Sequence, residues 1–188
     1  MSGHLLSTAN VISLGRALMG PVILLLLVNA SPPALYAALA VACAAAASDY
    51  VDGYMARRRG FPSEAGRYLD AACDAIFYLA VFLGFFANHW IAASWFAAIY
   101  FAEIIVPYLG AFTKQIGQPF AVRWSGRLKT AIHPLAQIVV IAVAAYAGPH
   151  GVAESWIAQI ALGSAVAASL AYLIDHAVLA GRRMTQLA

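Results

Sequence analysis

Apolar residues in this chain run in long blocks broken by short polar intervals, without the strict alternation that would mark half-buried strands. Six blocks reach the length a helix needs to cross the hydrocarbon core of a bilayer, about 20 residues at a rise of about 1.5 Å each. They run roughly over Val11–Val28, Ala34–Ala56, Ser63–Phe86, Trp90–Phe112, Gly126–Ala147 and Ala153–Ala180. The pattern predicts an all-α membrane protein, six transmembrane helices in one bundle, with residues 1–188 as a single domain. The first block is expected to be retained: no basic stretch precedes it, and Pro21 and a leucine run follow Arg16 where a small-residue cleavage site would be needed.

The polar intervals differ in charge, and that difference sets an orientation. The turn after the second block carries Arg57, Arg58 and Arg59, with Arg67 just beyond. The connection after the fourth carries Lys114, Arg123, Arg127 and Lys129, and the tail carries Arg182 and Arg183. Asn29–Pro33, Ala87–His89 and Gly148–Gly151 contain no Lys or Arg. Excess Lys and Arg marks cytoplasmic loops, so both termini and both basic connections are expected on the cytoplasmic side.

Composition agrees with this reading. The chain is 63% hydrophobic and 10% charged, with a mean hydropathy of +0.79, which suits a polytopic membrane protein and not a soluble domain. The net charge of +3 is gathered on one membrane face, so it does not indicate nucleic-acid binding; anionic headgroups or a phosphorylated substrate are its expected partners. Cys43 and Cys73 both fall inside blocks without metal-ligand spacing and are expected to pack as buried thiols.

Four of the eight acids fall in two neighbouring segments, Asp49-Tyr-Val-Asp52-Gly53-Tyr-Met-Ala56-Arg57 and Gly66-Arg-Tyr-Leu-Asp70-Ala-Ala-Cys-Asp74. On helices, Asp49 and Asp52 are i,i+3 and Asp70 and Asp74 are i,i+4, so each pair shares a face. An ionisable side chain at the centre of a membrane helix costs about 2.5–3.5 kcal/mol, a load that packing alone would not select four times over. Both pairs fall in the cytoplasmic half of their helices, within reach of a headgroup. Four converging carboxylates call for cations, and oxygen-only ligands suit Mg2+, Mn2+ or Ca2+ in preference to zinc. Gly53, Ala56 and Gly66 stand one turn from the acids and leave a side-chain-free strip for a flat or phosphorylated group, while Arg57 could reach a phosphate oxygen.

The two segments together read D-x-x-D-G-x-x-A-R, eight residues, G-x-x-x-D-x-x-x-D, without a gap or substitution. This pattern resembles the signature of the CDP-alcohol phosphatidyltransferases, a family similar also in having six transmembrane helices and often pairing as a homodimer. The resemblance implies an enzyme of phospholipid biosynthesis in which an alcohol attacks the β-phosphate of CDP-diacylglycerol and CMP leaves, with Mg2+ or Mn2+ as cofactor. Carried over position by position, Asp49, Asp52 and Asp70 resemble the metal ligands. Asp74 resembles the general base, touching a metal as well. Gly53, Ala56, Arg57 and Gly66 look like the CDP-binding positions. The expected site is an integral membrane one, in a bacterial inner or plasma membrane, facing the cytoplasm.

The acceptor is read from the connection into the fifth helix. Arg123, Arg127 and Lys129 enter that helix where they could cradle a phosphate on the acceptor. The run Gly126-Arg127-Leu128-Lys129-Thr130 also looks like the Gly-Lys-x-Lys-Thr stretch of the phosphatidylglycerophosphate synthase branch, whose acceptor is glycerol 3-phosphate. Asn10, Arg16 and Pro21 are similarly reminiscent of that branch. The chain departs from it at Ala71 and Ala75, where the branch typically carries proline and lysine. Related branches use inositol phosphate, serine or phosphatidylglycerol, the last giving cardiolipin.

Other polar residues have plainer readings. Glu103, deep in the fourth block, needs a partner, either Arg16 or an acceptor hydroxyl. His133, before Pro134, reads as helix packing beside a kink. Asp175 and His176 read as a local polar cluster. A reading of another class is a small cation carrier or channel, since membrane acids commonly line ion pathways. Against it, the acids gather toward one face and stand beside glycines and an arginine that suit a nucleotide.

Overall fold

Each long apolar block becomes a helix, because in a bilayer the backbone must satisfy its own N–H and C=O groups. The computed structural model describes residues 8–59, 64–115 and 124–184, with side chains described except at 8–10, 49–59, 64, 65, 67, 183 and 184. The helices are α1 (Thr8–Asn29), α2 (Pro32–Arg59), α3 (Glu64–Ala87), α4 (Ala93–Gln115), α5 (Trp124–Ala147), the single turn α6 (Gly151–Glu154) and α7 (Trp156–Met184). No strand occurs among the described residues.

Five of these helices are long and apolar enough to cross a membrane, over Val11–Asn29, Tyr68–Ala87, Ala93–Gln115, Trp124–Ala147 and Trp156–Arg182. The second helix differs from the expectation of six like spans. Its apolar part, Pro32–Ser48, is short, because the acids and arginines of the motif occupy the rest of the helix. At 28 residues α2 is nevertheless about 42 Å long as a whole.

The turns follow local chemistry. Ala30 takes a positive φ of 51° after α1, the Asn29 side-chain oxygen accepts from Ser31 N–H at 3.3 Å, and Pro32 opens α2, where its missing N–H costs nothing. Asn88 Nδ2 donates to Leu27 O at 3.0 Å and to Gly84 O at 2.9 Å, so one side chain serves carbonyls at the ends of both α1 and α3. Ser155 Oγ accepts from Ala158 N–H at 3.3 Å and caps α7.

Helices α1 and α3 run parallel, with α2 returning the chain between them, and their contact positions the motif. Ser13 meets Asp70, Gly20 meets Phe77 and Leu27 meets Gly84, a constant offset of 57 residues repeated every seven. A Cβ added at Gly20 would lie 2.9 Å from Phe77 Cα, and one at Gly84 would lie 2.7 Å from Leu27 Cδ1. The two glycines therefore let each helix approach the other at one level, as small residues do in membrane helix packing. α5 and α4 pack on α7, and α2 packs on α1 and α5.

Between these layers sits a core of Ile23, Leu27, Phe82, Phe85, Ile99, Ile141 and Leu162. The His133 ring lies edge-on to Tyr78 and Phe82, each 5.3 Å away, which fits its reading as a packing residue. The two cysteines divide. Cys73 is buried, whereas Cys43 is exposed on the surface of α2, correcting the expectation that both would be buried. Cys43 faces outward because its neighbours Ala42 and Ala45 take the inward face of that turn.

Candidate active site

α3 presents Gly66, Asp70 and Asp74 at four-residue intervals, hence along one face. Gly66 is buried, the Asp70 side chain is 52% exposed, and the Asp74 side chain is 17% exposed. Above them on α1 lie Ser13 and Arg16, one turn apart. Arg16 Nη2 donates to Asp70 Oδ1 at 2.7 Å and lies 2.8 Å from Asp74 Oδ1. Ser13 Oγ donates to the same Asp70 oxygen at 2.8 Å. Arg16 is almost wholly buried, and a buried guanidinium is tolerated when paired in this way.

The other motif acids, Asp49 and Asp52, stand on the last turns of α2 together with Gly53, Ala56 and Arg57. Their helical backbone keeps the i,i+3 and i,i+4 spacings that the motif requires, and their side chains lie outside the described residues. Arg123 lies outside the described residues altogether. Of the three basic residues read as an acceptor cradle, the described two face apart. Arg127 is exposed, and Lys129, two positions on, is buried.

Lys129 is held by Glu103 of α4. Its Nζ donates to Oε1 and Oε2, each at 2.8 Å, and lies 4.6 Å from the centre of the Tyr172 ring. Glu103 thus meets Lys129, where the sequence reading offered Arg16 or an acceptor hydroxyl as its partner; Arg16 belongs to Asp70 and Asp74. His133 Nδ1 lies 3.4 Å from Glu103 Oε1, and His133 Nε2 lies 2.9 Å from Ser169 Oγ, so the ion pair continues into α7. Near the same end, Ser125 Oγ donates to Asp175 Oδ2 at 2.6 Å.

Two features escaped the sequence reading. Ser13 carried no motif, and only its seven-residue spacing before Gly20 hints at a common face. The Glu103–Lys129 pair had a clearer signal, since an acid in one membrane block and a lysine inside the next each need a buried partner. Among the described residues no three His, Cys, Asp or Glu side chains form a metal-holding group. Asp70 and Asp74 do fit a hard divalent ion. They are acceptor-only oxygens on one face, and Asp70 is half open.

A family model described as CDP-alcohol phosphatidyltransferase matches residues 6–176. Among curated proteins, the chain is 30% identical over 112 residues to the CDP-diacylglycerol--glycerol-3-phosphate 3-phosphatidyltransferase of Escherichia coli (strain K12). The same figures hold for the proteins of that name from Escherichia coli O157:H7 and Shigella flexneri serotype 5b (strain 8401). In each case the match covers 57% of this chain and 59% of the relative, so the chain spans less than two thirds of the length of these relatives. The family match takes in both carboxylate segments, the Arg16 contacts on α1 and the buried Glu103–Lys129 pair, and with nearly the whole bundle inside it the chain belongs to the CDP-alcohol phosphatidyltransferase family.

Proposed function

We propose that this protein is a membrane-embedded transferase that moves the phosphatidyl group of CDP-diacylglycerol to glycerol 3-phosphate with release of CMP. The observation that carries this reading is the uninterrupted D-x-x-D-G-x-x-A-R and G-x-x-x-D-x-x-x-D pattern inside a family match over residues 6–176. The name of the Escherichia coli relatives supports glycerol 3-phosphate as the acceptor.

Gly53, Ala56, Arg57 and Gly66 hold the CDP moiety, the small residues giving it a surface and the arginine meeting a phosphate oxygen. Asp74 takes the proton of the acceptor hydroxyl as its oxygen bonds to the β-phosphorus. The bond from that phosphorus to the oxygen bridging to CMP breaks, and the electron pair leaves with CMP. An alcohol is a weak acid, so a base within hydrogen-bond reach speeds this step by about 10²–10⁴-fold. Mg2+ or Mn2+ held by Asp49, Asp52, Asp70 and Asp74 would neutralise charge developing on the phosphate oxygens. Arg123 and Arg127, at the entry to α5, receive the acceptor's own phosphate. Lys129, on the opposite face of α5, is balanced by Glu103.

The same reading places all six long helices across a bacterial inner or plasma membrane, with both termini, the basic connections and the site at the cytoplasmic face. The length of α2 as a whole and the absence of Lys and Arg from the opposite connections support this arrangement. The whole chain, 1–188, acts as one domain, and two copies pair as a homodimer.

The test is CMP release by the purified protein from CDP-diacylglycerol with Mg2+ or Mn2+, offering glycerol 3-phosphate, inositol phosphate, serine and phosphatidylglycerol in parallel. Release stimulated by glycerol 3-phosphate is expected. Stimulation by phosphatidylglycerol in its place would assign cardiolipin synthesis. Divalent-ion flux through vesicles without any CMP release would return the protein to the carrier or channel class.

A further inference from the structure

The first turns of α5 are gripped from one side by α7. Ser125 is fully buried, and its hydroxyl donates to Asp175 Oδ2 at 2.6 Å, the length of a charge-assisted O–H···O bond. At Gly126 the Tyr172 ring takes the place of a side chain: a Cβ there would lie 3.3 Å from its Cε2. Lys129 Nζ stands 4.6 Å from the centre of the same ring. The ring is itself backed by His176, whose centroid lies 4.6 Å away and whose Nδ1 is 2.9 Å from Tyr172 O. Tyr172 and Asp175 are i,i+3 on α7 and so share the face that makes the grip.

Successive residues step about 100° round a helix, so Ser125, Lys129 and Gly126 fill one sector about 100° wide. Arg127 lies about 200° round from Ser125 and is exposed. A helix end held by a hydrogen bond, a ring contact and a cation over that ring cannot turn about its axis without losing all three. The grip on one face therefore fixes where the residue on the other face stands.

We infer that Ser125 and Tyr172 are positioning residues for the acceptor: with Asp175 as anchor they fix the rotation of the first turn of α5, and so set how Arg127 meets the acceptor's phosphate. This rests on the proposal above that Arg127 receives that phosphate. A guanidinium binds phosphate through N–H donors in a rigid fork, so a change in its direction costs donors outright, where a flexible ammonium would follow. The residues proposed for the CDP moiety and for the base stand on α2 and α3. Loosening the grip therefore weakens the acceptor's binding and leaves that of the CDP-lipid in place.

The experiment measures acceptor-dependent CMP release by the full chain in lipid nanodiscs, with KM for glycerol 3-phosphate, KM for CDP-diacylglycerol and kcat determined separately. It is run on the wild type, S125A, Y172L, Y172F and R127A, with the unfolding midpoint of each recorded. S125A and Y172L are expected to raise the glycerol 3-phosphate KM about tenfold, with the other two constants within about twofold of the wild type. Y172F keeps the ring and should behave as the wild type. A core truncation elsewhere on α7, L162A, should lower the unfolding midpoint and leave both KM values unchanged. On an R127A background S125A should raise the glycerol 3-phosphate KM by less than it does alone, and full additivity would show that Ser125 does not act through Arg127. An unchanged glycerol 3-phosphate KM in S125A and Y172L, or an equal rise in both KM values, would overturn the inference. If S125A does not fold, the contrast of Y172L with Y172F decides. R127A raising the glycerol 3-phosphate KM while S125A and Y172L leave it alone would sink this inference only. R127A leaving it unchanged would sink the acceptor assignment itself, and this inference with it.

Discussion

Lys129 Nζ stands 2.8 Å from both carboxylate oxygens of Glu103, and this two-pronged ion pair fastens α5 to α4 inside the bundle. The side chains are 9% and 3% exposed, so neither charge can be hydrated if its partner is lost. The Tyr172 ring beneath the ammonium and His133 beside the carboxylate extend the fastening to α7.

Breaking that pair from one side should be costly, while removing both charges should not. K129M is expected to lower stability by about 3 kcal/mol or more, because it strands the Glu103 carboxylate in an apolar bundle. The double variant K129M with E103M should regain most of that loss. Denaturant unfolding of the four corners of the cycle in detergent measures it. A double variant whose loss equals the sum of the two single losses would show that the two charges act independently.

The glycines of the α1–α3 contact should differ in their tolerance of a methyl group. At Gly20 a new Cβ meets the Cα of Phe77 at 2.9 Å, and backbone cannot step aside. At Gly84 it meets Leu27 Cδ1 at 2.7 Å, the end of a side chain that can change rotamer, and Leu27 Cβ at 3.2 Å, a milder contact that asks for a shift of only a few tenths of an ångström. G20A should therefore destabilise by about 1–3 kcal/mol and G84A by less, as read from thermal unfolding in detergent. G20A should also disturb the Arg16 contacts one turn away.

The two motif helices divide binding from proton transfer in the proposed reaction. D74N should reduce turnover by about a hundredfold or more with binding of CDP-diacylglycerol largely kept, since it removes the base and keeps the shape. D49N should weaken both. Single-turnover CMP release and direct binding of a labelled CDP-lipid would separate the two effects, and equal loss of binding in the two variants would reject this division of roles.

Stripping divalent ions with a chelator should stop CMP release, and adding back Mg2+ or Mn2+ should restore it. The carboxylates are hard oxygen donors, so Zn2+ is not expected to substitute efficiently. Acceptor-dependent CMP release measured in a metal-buffered assay tests both statements.

Much of the site was legible in the order of residues. Asp49, Asp52, Asp70 and Asp74 announce themselves because acids are costly in apolar helices, and their spacing of three or four residues matches a helical face. Helix positions followed from block length, with ends shifted by a few residues: the fourth block, expected over Trp90–Phe112, is the helix Ala93–Gln115, since the chain first turns through His89 at a φ of 60°. Membership of the family was carried by the same motif.

What local order cannot encode is which distant charge meets which. The sequence reading offers Arg16 as a partner of Glu103. Its true partners are set by the parallel register of α1 on α3, which depends on Gly20 and Gly84 admitting close contact at two levels. The burial of Lys129 against Glu103 arises only once α4, α5 and α7 pack together, so it is not legible in local order. The sequence by itself determined the helices, the faces of the acids and the class of chemistry, because these depend on neighbours within one or two turns. The tertiary structure decided the pairing of Arg16 with Asp70 and Asp74 and of Lys129 with Glu103, because the register between helices sums many small contacts along their whole length.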